Sequence, residues 1–225
     1  MTRNSLSILT LAAVLTLGFG QVASADAGRS SSPVFWMWEF PPAATAVGTS
    51  SLLRTRNGLN ARFQTTGLPA GHAVTLWIMF FNNPRACRPA GAPCAANPDN
   101  INPSTGFDFH YVGGHIVNAN KTTIAGHLSV GELSTSGWAE LAGTGALTPL
   151  PTPLTNPLGA EVILAIHSHG PAATGQLLKE QTSSYLGGCI LPFLGDPMSG
   201  FALGPGDVPA ISGECSTIQQ SLHLP

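Results

Sequence analysis

Apolar residues in this chain fall in short runs separated by Gly, Pro and Asn, and within the runs they recur with a period of two. That period marks strands, because successive side chains of a strand point to opposite faces. Leu59, Ala61, Phe63 and Thr65 alternate with Asn60, Arg62 and Gln64, which predicts one packed and one wet face. Residues 51–56 precede Asn57-Gly58, so a hairpin is expected here, with the turn taking its positive φ angles from that pair. Residues 74–81 (VTLWIMFF) are apolar almost throughout. A strand of that kind must be covered on both faces and belongs in the middle of the core. Further strands are expected at 34–40 (VFWMWEF), 107–112, 115–118, 122–133, 138–141 and 161–167 (EVILAIH), and one short helix within 176–186. Residues 187–225 read as turn-rich and irregular. Short strands at this spacing predict an all-β fold of roughly seven to ten strands. The expected architecture is a Greek-key-like β-sandwich or partly open barrel with long disulfide-tied loops and at most one short helix.

The first residues follow a different logic. Arg3 precedes an apolar run over 6–19, and Ala23-Ser24-Ala25 supplies the small residues of a cleavage site. This is the pattern of a secretory signal peptide, and the run is shorter than the roughly 20 residues a spanning helix needs. The expected organisation is a signal peptide at 1–25, a flexible start at 26–33 and a single β-sandwich domain at 34–225. The mature chain carries no further apolar stretch long enough to span a membrane. Its expected location is secreted, extracellular or periplasmic.

Charge narrows the function. Only 9% of residues are charged and the net charge is −2. The few Lys and Arg are scattered, which excludes a nucleic-acid partner, since phosphate binding needs a basic patch. The four cysteines, Cys87, Cys94, Cys189 and Cys215, all lie in the mature part. An even count in an exported chain reads as disulfides. The preferred pairs are Cys87–Cys94, closing a Pro/Gly-rich loop, and Cys189–Cys215, tying back the tail. Spacing alone leaves three pairings open.

The stretch from Thr66-Gly67-Leu68-Pro69-Ala70-Gly71 through Val74-Thr75-Leu76-Trp77-Ile78-Met79 resembles the turn and following strand of copper–zinc superoxide dismutases and chordin-type domains. The resemblance implies a Greek-key β-sandwich. In those families the strand ends in a His-x-His metal pair, whereas Trp77 and Met79, or Leu76 and Ile78 if the register slips, stand at the matching places here. A wider set is similar to a group of exported bacterial proteins without assigned activity. It comprises Thr75-Leu76-Trp77, Phe81-Asn82-Asn83-Pro84, Cys87, Cys94, Ala160-Glu161-Val162, Ser168-His169-Gly170-Pro171-Ala172, Glu180-Gln181 and Gly187-Gly188-Cys189. It implies a bacterial exported protein.

Seven histidines are the remaining chemistry. Alternation puts His167 and His169 on one face with Glu161, Ile163 and Ala165, about 7 Å apart at Cα. It puts His127 opposite Ile124 and Leu128, and puts His110 with Asp108 opposite Phe107, Phe109 and Tyr111. If those strands are neighbours, His110, His127, His167 and His169 converge, with His115 a weaker fifth. Three or four imidazoles on rigid strands suffice for zinc or copper, and Asp108 or Glu161 would serve as a partner holding a ligand. The plain alternative is that these histidines are polar residues on wet faces or loop caps. Trp36, Trp38 and Phe40 share one face, either as core or as an exposed aromatic row for stacking on sugars. No Gly-x-Ser-x-Gly elbow is present, and the neighbours of Ser168 on its strand point away from its hydroxyl. The sequence therefore points first to an extracellular binding or structural module without catalysis, its ligand an extracellular protein or polysaccharide. It points second to a histidine-based zinc or copper protein, redox-active or not, centred on His167 and His169. No cofactor is firmly implied, and the sequence is silent on oligomeric state.

Overall fold

The computed structural model describes residues 27–37, 45–133, 136–137, 151–189 and 215–225. The signal segment, Trp38, Phe40 and the strand expected at 138–141 lie outside the described residues. Eight strands form one antiparallel sheet: β1 (Ala27–Trp36), β2 (Gly48–Thr55), β3 (Gly58–Thr66), β4 (His72–Phe81), β5 (Phe107–Ile116), β6 (Lys121–Ser129), β7 (Glu161–Pro171) and β8 (Ser216–His223). A short α-helix, α1 (Gly175–Gln181), follows β7.

The strand order is β5-β4-β7-β8-β1-β2-β3-β6, so the sheet curls into a nearly closed, partly open barrel. Its two edges, β5 and β6, meet at a seam. There a Cβ on Gly126 would collide with Val112 O, and one on Gly113 would lie 3.0 Å from Ala125 O. Strands β4, β5 and β6 run side by side around the barrel, and β3 returns to lie beside β6. That is a Greek key; β7 beside β4 completes a second.

Two expectations change. Residues 27–33, expected as a flexible start, belong to β1 and pair with β2 from Ala27↔Thr55 to Val34↔Gly48. Main-chain hydrogen bonds build that ladder, so the small, polar Ser30-Ser31-Ser32 suffices. The tail, expected to be irregular, forms β8 between β7 and β1. Its inward residues Gln219, Ser221 and His223 are polar, which reverses the usual signature of a strand face. The expected hairpin is present with a shifted loop. Thr55 pairs with Gly58, so Arg56 and Asn57 form the turn. Gly58 (φ 153°) is needed because a Cβ there would strike Leu128 O of β6.

Alternation divides the apolar residues into two cores. The barrel interior takes Leu52, Phe63, Leu76, Ile78, Phe80, Ile124, Leu128, Leu164 and Ile166, among others. A second cluster lies on the outer face of β4, β5 and β7: Trp77, Phe81, Phe107, Phe109 and Ile163, capped by Cys87, Cys94 and Tyr185. The loop at 82–106 and the turn after α1 cover that face. This explains why β4 and β7 read as continuous apolar runs.

The interior also holds a polar sector. The buried Arg54 guanidinium donates to Pro157 O (3.1 Å), Ala160 O (2.7 Å), His223 O (3.0 Å) and Leu224 O (3.2 Å). Four main-chain carbonyls thus replace its hydration, tying the end of β8 to the turn before β7. Ser50 Oγ lies 2.8 Å from His223 Nε2 and donates to Ser221 Oγ (2.7 Å). Ser30 Oγ lies 2.8 Å from His223 Nδ1, and Thr65 Oγ1 donates to Gln219 Oε1 (2.6 Å). A buried polar network is stabilising only when its members are satisfied, and these bonds join β1, β2, β3 and β8.

Candidate functional site: the His167–His169 cluster

The C-terminal end of β7 sets the geometry. His167 and His169 project from the outer face, as alternation requires, and their ring centroids are 5.1 Å apart. The bulge in the β7–β8 pairing between Ile166 and His167 lies beside them. Tyr185, in the turn after α1, stacks on His167 with ring centroids 4.3 Å apart. It also meets Trp77 edge-on at 5.0 Å. The two histidines are therefore the rim of the outer aromatic core, roofed by the segment that ends in Cys189.

Hydrogen bonds fix the His169 tautomer. Gly187 O only accepts, so His169 Nδ1 carries the hydrogen and donates to it at 2.8 Å. Nε2 then accepts from Thr75 Oγ1 at 2.9 Å, and Thr75 Oγ1 accepts from Trp77 Nε1 at 2.8 Å. His167 is less well served: its Nδ1 sits 3.4 Å from Thr217 Oγ1, and its buried Nε2 has no hydrogen-bond partner. Burial drives the His167 imidazole well below its ordinary pKa, with His169 adding repulsion. Burial takes His169 down to about 4, opposed by the Gly187 bond. Both rings are neutral at pH 7, the form that ligates metals.

Two disulfides hold the described structure, paired as the sequence favoured. Cys87–Cys94 braces the loop after β4. Cys189–Cys215 joins the turn after α1 to the start of β8, with Cα atoms 5.4 Å apart. Its sulfurs each lie 3.7 Å from His169 Nδ1. One ring nitrogen from each of His167 and His169 and the Sγ atoms of Cys189 and Cys215 all fall within 4.8 Å of one another. In the disulfide state the sulfurs are bonded to each other and carry no charge. The cluster then offers two imidazoles and no thiolate, half the usual zinc complement.

The other candidates lie apart from this cluster. His110 and Asp108 face the barrel interior, where His110 packs against Phe80 (ring centroids 5.7 Å apart). The aromatics Phe107 and Phe109 point outward because the covering loops make the outer face of β5 a core as well. Asp108 accepts from Ser136 Oγ (2.7 and 2.8 Å), Thr152 N (2.8 Å) and Phe109 N (2.7 Å), with His110 Nε2 3.4 Å from its Oδ2. It pins the chain at the seam. His127 is exposed on β6 and bonds Asn60 Oδ1 at 3.1 Å. His115 is half-buried near the end of β5, opposite Val74. Glu161 starts β7, roughly 20 Å along the strand from His167 at about 3.3 Å per residue. It accepts from Cys94 N and Ala95 N, both at 2.9 Å, and so anchors the first disulfide loop. Trp36 is half-buried against the interior core.

Sequence patterning missed Thr75, Tyr185 and the cysteine neighbours of the histidines. Alternation was the one available signal, since it places Thr75 and Trp77 on one face of β4. The proximity of Cys189 and Cys215 is long-range and leaves no local trace. No family model matches this chain, nor does any curated protein or solved structure. The site therefore stands on its own geometry.

Proposed function

We propose that the protein is an exported binding or structural module without catalytic activity. One observation carries this reading: three of the buried groups that chemistry would draw on terminate on the protein's own backbone. Arg54 is spent on four carbonyls, Glu161 on two amides and His169 on Gly187 O. Export is supported by the two disulfides, which persist in oxidising compartments. Among the described residues no helix is long and apolar enough to cross a membrane.

The ligand class favoured is an extracellular polysaccharide or protein. The test is cosedimentation of the mature protein with insoluble cellulose, chitin and peptidoglycan, read beside release of new reducing ends. Retention on a polymer without new ends supports the reading. Release of ends that tracks the purified protein refutes it.

A further inference from the structure

The geometry points to a zinc site that opens when the Cys189–Cys215 disulfide is reduced: a Cys2His2 centre made of Cys189, Cys215, His167 and His169. It goes beyond the binding-module reading and does not depend on it.

The four donors already lie within 4.8 Å of one another. For Zn–S of about 2.3 Å and Zn–N of about 2.0 Å, a tetrahedral site separates sulfur from nitrogen by about 3.5 Å. The two sulfurs stand 3.7 Å from His169 Nδ1, so that edge is close to its final length. The sulfur–sulfur edge must open to about 3.8 Å, and the edges to His167, which lie within 4.8 Å, must settle to about 3.3–3.5 Å. His167 supplies an independent sign, since its Nε2 is buried without a hydrogen-bond partner. Tetrahedral S2N2 sets select zinc. The other disulfide has no such surroundings, because Glu161 and main-chain groups flank Cys94.

The conversion balances. A dithiol reductant gives two electrons and two protons to the Cys189–Cys215 bond and itself becomes a disulfide. The two protein thiols release their protons to solvent as two Zn–S and two Zn–N bonds form. His169 must ligate through Nδ1, so its hydrogen moves to Nε2 and is donated to Thr75 Oγ1. Metal-bound histidines commonly donate their other ring hydrogen in this way, which makes Thr75 a positioning residue for the site.

The test uses the mature protein with Cys87→Ser and Cys94→Ser, which leaves one disulfide. It is titrated with Zn²⁺ by calorimetry and with Co²⁺ by absorption, oxidised and after reduction with a phosphine. The expected result is one metal per reduced chain and none per oxidised chain. Cobalt should show tetrahedral visible bands and sulfur-to-metal charge transfer. His167→Ala should alter those bands and weaken binding at least tenfold, and Thr75→Val should weaken it about tenfold while leaving the cobalt bands tetrahedral. Near-ultraviolet dichroism of the Trp77 cluster reports the fold in each arm. If reduction abolishes that signal, zinc should restore it. Three outcomes overturn the inference: no uptake by the reduced chain, no restoration of a lost signal by zinc, or equal uptake by a His167→Ala/His169→Ala double variant.

Discussion

Lowering the pH from about 7.5 to 5 should destabilise this barrel far more than its low charge content would suggest. His169 and His223 each titrate near 4 in the folded protein, driven down by burial and, at His223, by the Arg54 charge. In the unfolded chain they titrate at about 6.5. Between those values the unfolded state holds more protons, so stability is fully present above about 6.5 and is lost as the pH falls toward 4. At pH 5 each imidazole costs about 2 kcal/mol, or about 4 kcal/mol together. His167, also driven down by burial, adds loss in the same direction. Urea unfolding at the two pH values measures this: with a slope of about 2 kcal/mol/M, the midpoint should drop by about 2 M. His223→Gln should shrink that drop by about 1 M, the share of one imidazole. A midpoint that stays fixed, or rises, between those pH values would refute burial of these imidazoles in neutral form.

Arg54→Met should cost about 3 kcal/mol or more, because its four carbonyls lose their donor; a loss under about 1 kcal/mol in urea melts would show that water replaces it. Chain entropy makes Cys189–Cys215, which closes a separation of 26 residues, worth about 3.5 kcal/mol, against about 2.5 for Cys87–Cys94 at a separation of 7. Paired Cys→Ser variants should rank in that order in thermal melts, and the reverse order would contradict the estimate. Gly126→Ala should push β5 from β6 and cost about 1–3 kcal/mol, with faster amide exchange confined to the seam. Glu161→Ala should leave the barrel folded while loosening the loop at 82–106, seen as faster proteolysis there.

Much of the fold was legible where side-chain pattern and burial agree. Strand β4 announced itself as two-faced core, and the alternation of β7 placed His167 and His169 together on the outer side. The failures share a physical cause. A face reads as wet or apolar only relative to what covers it, and sequence does not show the cover. Loop 82–106 turns the outer face of β5 into core, which sends His110 and Asp108 inward, away from His167. The inward face of β8 is polar because Ser50, Thr65 and Ser30 satisfy it from strands distant in sequence. The first seven residues of strand β1, 27–33, were missed because their ladder with β2 is held by backbone bonds that serines and glycine make as well as valine does. The sulfur–imidazole cluster depends on a contact between residues 169, 189 and 215, and no local periodicity encodes it.

The meeting of β5 and β6 has a consequence for behaviour in crowded surroundings. An open ribbon of this length and hydrophobic content would leave two lines of unanswered amides and carbonyls, a ready template for recruiting other chains into fibrils. Here the two margins face each other, with Gly126 beneath Val112 and Ser136 bridged to His110. Each screens the other from strangers, so the molecule guards itself against fibrillar growth with glycines and one serine rather than with charge.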